Sequence, residues 1–252
     1  MARTLDSKRK GPAPGEARSV VVFLHGYGAD GADLLGLADP LAEHMPGTAF
    51  HAPDAPERSV VNPMGFQWFP IPWIDGSSEE ESRQGLQRAA DDLNAFLDGV
   101  MVDEDLLPEQ VMVVGFSQGT MMALHVLPRR EDAVAGLVAF SGRLLEPELL
   151  ADEVQNRLPI LLVHGDMDEV VPPQSLPEAA QALQEAGFAP DVTDIKATDP
   201  GRAIMAPTDL YIIAGGDGTV AEIAPLLPGH ARFAILPLGT ANNVASAHGS
   251  RL

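Results

Sequence analysis

The chain contains no cysteine. That absence excludes disulfides, thiolate nucleophiles and cysteine-bound zinc together. Basic residues are in short supply: 16 Lys and Arg stand against 36 Asp and Glu, a formal net charge of -20. A surface of that sign repels phosphate backbones, so nucleic acid is not an expected partner. No apolar run approaches the roughly 20 residues of a membrane-spanning helix, and the polar start, Met1 to Arg18, lacks the apolar core of a secretory signal. Together these absences point to the cytoplasm and make residues 1–18 a flexible arm.

What is present is a 252-residue chain, 45% hydrophobic, whose apolar blocks alternate with Gly/Pro-rich turns. That suits one large domain, or one domain with an attached smaller piece. Short β-branched runs at 19–24, 48–52, 110–115, 134–140 and 159–164 read as buried strands. Helical spacing covers 32–43, 79–99, 120–127, 147–156 and 175–186, with Gly187 ending the last. Residues 53–78 read as a long irregular loop rich in proline, holding both tryptophans. Strands alternating with helices imply an α/β fold, a mainly parallel sheet with helices on both faces.

Gly115-Phe-Ser-Gln-Gly119 lies where a strand runs directly into a helix. Small residues two positions either side of Ser117 permit a sharp turn that lifts its hydroxyl above the sheet. The helix N-terminus beneath favours developing negative charge. An ordinary strand-to-helix turn is the plainer alternative. Leu24-His-Gly-Tyr-Gly28 follows another strand and suits an oxyanion loop, with the main-chain N–H groups of Tyr27 and Gln118 as donors. His25, at the strand end, reads as structural. His164-Gly-Asp-Met-Asp168 ends a later strand; Asp168 is the candidate acid and Asp166 a turn residue.

With these motifs, Gln67-Trp-Phe69, Phe140-Ser-Gly142 and Val171-Pro172, residues 19–188 resemble the phospholipase/carboxylesterase family, which includes the acyl-protein thioesterases. The resemblance implies an α/β-hydrolase fold, hydrolysis of small-molecule acyl esters or thioesters, and no cofactor or metal. It also implies that Trp68, Phe69 and Trp73 lie near an acyl-binding groove, although core packing accounts equally well for such aromatics. No feature sets the oligomeric state.

A serine is a weak nucleophile without a base beside it. The family pattern places a histidine one strand after Phe188. Here Asp191 to Arg202 contains none, and only His230 and His248 follow the acid. His230, in a Pro-Gly-His loop, is the remaining candidate base. A nucleophile and acid without their base, or an acyl-binding protein without turnover, follow from that gap.

The chain changes character near Ala189-Pro190. Gly215-Gly-Asp-Gly-Thr219 follows a strand-like run over 209–214, and a second run over 231–236 leads into Pro237-Leu-Gly-Thr-Ala-Asn-Asn243. Successive glycines at a helix start let N–H groups approach phosphate oxygens. Residues 209–249 resemble the diacylglycerol/lipid kinase catalytic domain, and the glycine element also occurs in NAD kinases. The resemblance implies a nucleotide site on Gly216, Asp217, Gly218, Thr219, Thr240 and Asn242, with ATP and Mg2+ as its ligands. The expected organisation is therefore a 19–189 hydrolase domain, C-terminally incomplete, followed over 190–252 by a βαβ fragment of kinase type. A tail strand, Val192–Ala197 or Leu210–Ala214, is expected to cover the sheet edge left open.

Overall fold

A computed structural model describes residues 2–195 and the strand segments 210–215 and 232–237. In chain order the strands are β1 (Ser7–Lys10), β2 (Ser19–Leu24), β3 (Thr48–Pro53), β4 (Glu57–Arg58), β5 (Phe66–Gln67), β6 (Val111–Phe116), β7 (Gly136–Phe140), β8 (Ile160–Gly165), β9 (Asp191–Ile195), β10 (Leu210–Gly215) and β11 (Arg232–Pro237). The helices are α1 (Gly31–Leu35), α2 (Ala38–Ala42), α3 (Pro72–Asp75), α4 (Glu79–Glu104), α5 (Gln118–Val126), α6 (Pro147–Glu153) and α7 (Ser175–Glu185).

Seven strands form one sheet in the order β1-β3-β2-β6-β7-β8-β9, parallel throughout except for β1. The period-2 alternation of β2 shows why both faces must be covered. Val20, Val22 and Leu24 enter a core with α4, α5 and α7, while Val21 and Phe23 enter a second core with α1, α2 and Phe50. Each fully buried Leu or Phe contributes roughly 1.5–3 kcal/mol. α4 is fixed at its start by a reciprocal Ser78–Glu81 cap, and it buries Leu86, Ala89, Leu93, Leu97 and Val100.

The helix expected over 32–43 is two short helices, separated at Gly36 and Leu37. Glycine lowers helix propensity there, and Pro40 has no N–H to continue the ladder. The loop over 53–78 carries the β4–β5 hairpin and α3. The N-terminal arm expected to be flexible instead supplies β1, antiparallel to β3. Its lysines and arginines hid it: they form a charged edge strand, pinned from the side. Arg9 donates to both oxygens of the buried Glu104 carboxylate, at 2.6 and 2.9 Å, and His51 Nε2 lies 2.8 Å from the same group.

At the opposite edge, β9 pairs parallel with β8, from Leu161↔Asp191 to Gly165↔Ile195. Of the two segments expected to cover that edge, the first supplies the strand, over Asp191–Ile195. Leu210–Gly215 pairs in parallel with β11, in a separate two-stranded sheet.

Candidate active site

Ser117 stands between β6 and α5 with φ 51° and ψ -113°, a backbone conformation that non-glycine residues rarely adopt. Strain of this kind costs about 1–3 kcal/mol and persists only where the surroundings enforce it. Here they do. The Ser117 N–H donates to the Phe140 carbonyl at 2.9 Å, and the Ser117 carbonyl accepts from Met121 N–H at 3.0 Å. Glycine is required on both sides: a Cβ on Gly115 would lie 2.7 Å from Thr120 main-chain atoms, and one on Gly119 would collide with the Leu24 carbonyl. The serine hydroxyl makes no capping bond to α5.

The loop after β2 runs against this bend; a Cβ on Gly26 would sit 3.3 Å from Ser117 Cβ. Tyr27 follows Gly26, and Gln118 is the first residue of α5, where an N–H has no intrahelical acceptor. A chain of buried hydrogen bonds joins the segments. The Gln118 side chain accepts from Trp68 N–H at 2.9 Å and donates to the Phe69 carbonyl at 2.7 Å. Trp68 Nε1–H donates to the His25 carbonyl at 3.0 Å. His25 Nε2 accepts from Ala55 N–H at 2.9 Å, so the ring proton sits on Nδ1 and is donated to the Gly26 carbonyl at 2.8 Å. Burial pushes the His25 pKa below its ordinary value. This imidazole is neutral and structural.

Trp68 and Phe69 are both buried, whereas Trp73 is 60% exposed. Trp73 belongs to α3, whose Asp75 accepts from Tyr27 Oη at 3.2 Å and from Ile71 N–H at 2.9 Å. Burial works against ionisation of Asp75, but the hydrogen bonds from Ser77, Ile71 and Tyr27 outweigh it and hold its pKa below the ordinary value.

Asp168 lies in the turn after β8. Its Oδ1 accepts the N–H groups of Val170 and Val171, both at 2.9 Å. Its Oδ2 is 3.5 Å from the Nε2 of buried His164, which is itself 3.0 Å from the Val171 carbonyl. A cavity of about 180 Å³ adjoins this turn, lined by His164, Gly165, Asp166, Pro173, Gln174, Leu176 and Pro177. β6 and β8 flank β7, so the serine and acid turns stand roughly 10 Å apart on the sheet's carboxyl edge, two inter-strand spacings. That gap suits one intervening side chain.

Comparison with known proteins settles the family. Residues 12–202 match the family described as Phospholipase/Carboxylesterase. The chain belongs to it. Acyl-protein thioesterase 1 of Saccharomyces cerevisiae is 32% identical over 166 residues, covering 62% of this chain and 73% of the yeast protein. Acyl-protein thioesterase 1 homolog 1 of Dictyostelium discoideum is 28% identical over 159 residues, covering 61% of this chain and 70% of that protein. The crystal structure of esterase PE8 superposes with a TM-score of 0.70 at 36% identity, over 76% of this chain and 90% of that one. The fold is that of the α/β-hydrolases. Residues 171–251 also match the diacylglycerol kinase catalytic domain, and the two matches overlap over 171–202.

Within this esterase family member, no described histidine hydrogen-bonds Ser117. His25, His51 and His164 are engaged elsewhere. His125, on α5, has an Nδ1 without a hydrogen-bond partner, and burial, with Arg129 adding to it, lowers its pKa to about 4. His230, His248 and the candidate nucleotide residues Gly216, Asp217, Gly218, Thr219, Thr240 and Asn242 lie outside the described residues. Among the described residues no helix is long and apolar enough to cross a membrane. Sequence reasoning missed two features: the Gln118 side chain as a brace, although the motif contains it, and the Glu104 cluster, whose partners lie far apart in the chain.

Proposed function

We propose that this chain is a carboxylic ester or thioester hydrolase acting through Ser117, with turnover limited by its base. The Ser117 hydroxyl oxygen attacks the acyl carbonyl carbon and its proton passes to a base. The carbonyl oxygen becomes an oxyanion held by the main-chain N–H groups of Tyr27 and Gln118. The C–O or C–S bond then breaks, the leaving group takes up a proton, and water hydrolyses the acyl-serine. Asp168 orients the base. The observation that carries this reading is the forced positive φ at Ser117, directly against the Gly26–Tyr27 loop. Removing one donor from such an oxyanion site typically costs about a hundredfold to a thousandfold.

β9 ends at Ile195 without a histidine, so His230 is the candidate base. Without any base, activity falls by several powers of ten, to roughly what oxyanion binding alone provides. The test is para-nitrophenyl butyrate hydrolysis by wild type, Ser117→Ala and His230→Ala. Wild-type turnover above Ser117→Ala supports the reading; identical rates remove the catalytic claim. His230→Ala matching Ser117→Ala would assign the base.

A second reading, nucleotide binding by 209–249, draws on the kinase-domain match and on the parallel β10–β11 pair that brackets the 216–231 segment in sequence. Calorimetry with ATP and magnesium tests it, and no heat at millimolar ligand would remove it.

A further inference from the structure

Each described arginine but one is bonded to a carboxylate or a main-chain carbonyl, as Arg9 is to Glu104 and Arg157 to Ala186. Arg143 is the exception. It is exposed, and among the described residues its recorded contact is with a ring: its guanidinium carbon lies 5.6 Å from the Trp73 centroid. Although the chain has 36 acidic residues, among the described residues this guanidinium has neither a carboxylate nor a carbonyl partner.

Arg143 follows Phe140-Ser-Gly142 at the carboxyl end of β7. Phe140 holds the Ser117 N–H, and a Cβ on Gly142 would lie 3.0 Å from the Ser117 carbonyl oxygen. Trp73 belongs to α3, tethered through Asp75 to the Tyr27 hydroxyl. The Arg143–Trp73 pair therefore joins the segment beside Ser117 to the helix hydrogen-bonded to Tyr27. A cation–π contact over an indole face leaves the N–H donors of a guanidinium available to a ligand. Their fork matches a carboxylate, which accepts two parallel N–H bonds. The acidic surface otherwise disfavours anions, so a cation without an acid partner among the described residues discriminates strongly by contrast.

We infer that Arg143, placed over Trp73, binds an anionic group of the substrate, so that the site prefers acyl esters carrying a carboxylate, such as half-esters of short dicarboxylic acids. The inference takes its location from the Ser117 reading; its chemistry is independent of turnover.

Binding is measured by calorimetry in the full-length Ser117→Ala protein, with monobenzyl succinate and neutral benzyl butyrate as probes. The succinate half-ester is expected to bind about tenfold or more tighter, the usual effect of a charge-assisted hydrogen bond. Adding Arg143→Ala should abolish that preference, Arg143→Lys should keep part of it, and Trp73→Ala should weaken it. Equal affinity for the two probes, or a preference that survives Arg143→Ala, overturns the inference. Hydrolysis of monobenzyl succinate by wild type and Ser117→Ala is followed in parallel. Equal rates there would sink the hydrolase reading and leave the binding comparison to decide this one.

Discussion

Replacing Ser117 by glycine should make the protein more stable than replacing it by alanine, while both changes abolish Ser117-dependent hydrolysis. The reason is the backbone. Ser117 holds φ 51° and ψ -113°, where a Cβ is unfavourable and a hydrogen is not. Alanine keeps the Cβ and therefore the strain, about 1–3 kcal/mol. Glycine releases it, at a cost of roughly 0.5–1 kcal/mol in extra unfolded-chain entropy. Neither substitution forfeits a helix cap, because the Ser117 side chain makes none. The net expectation is about 1 kcal/mol in favour of Ser117→Gly over Ser117→Ala. For a domain of this size that is roughly 2–4 °C in Tm. Calorimetric melting of wild type and both variants reads it directly, and urea midpoints supply an independent measure. If Ser117→Gly melts at or below Ser117→Ala, the bend is not strained as argued, and the claim that the fold forces this serine upward loses its support.

Three further outcomes follow from the same geometry. Hydrogen bonds from Arg9 hold the Glu104 pKa at about 2, with His51 adding to them against the effect of burial. The stabilisation is complete above the ordinary carboxyl value and is lost as pH falls towards about 2. Glu104→Gln should lower stability at neutral pH by about 3 kcal/mol and flatten that acid limb in urea titrations. His125 is opposite in charge but similar in consequence. Its folded pKa of about 4 lies below its ordinary value of 6.5, so stability is full above pH 6.5 and declines as pH falls towards 4. His125→Leu should make that decline shallower and, at pH 5, give a protein more stable than wild type by denaturant unfolding. Trp68→Phe deletes the indole N–H that serves the buried His25 carbonyl. A loss of about 1–3 kcal/mol is expected, with kcat for para-nitrophenyl butyrate falling more than KM rises.

Much of the sheet was readable because burial on both faces writes itself as continuous β-branched runs. Val20-Val-Val-Phe-Leu24 and Val111-Met-Val-Val-Gly-Phe116 could be little else. α4 was equally plain from its apolar stripe, though its cap placed the end five residues beyond the 79–99 span. β1 was not readable. Ser7-Lys-Arg-Lys10 has no apolar alternation, and it is a strand only because β3 offers an unpaired edge and Glu104 a buried carboxylate for Arg9. Both sets of partners lie 40 or more residues away in sequence. The break between α1 and α2 carried a signal in Gly36 and Pro40 that the apolar periodicity outweighed.

The site shows the same division between local and lateral information. Each piece was legible alone as a strand ending in glycine: His25-Gly26, Gly115-Phe-Ser117 and His164-Gly165. Their convergence depends on strand order, which periodicity does not encode. Because β2, β6, β7 and β8 are neighbours and parallel, their carboxyl ends share one edge, whatever their separation along the chain. The same rule accounts for the pair that no motif announced. Arg143 follows β7, which lies between β6 and β8, and it meets Trp73 of α3, which Asp75 ties to Tyr27 beyond β2. Substrate preference in this family member is thus expected to lie in Arg143 and Trp73, which the topology brings together, rather than in the Gly115–Gly119 motif.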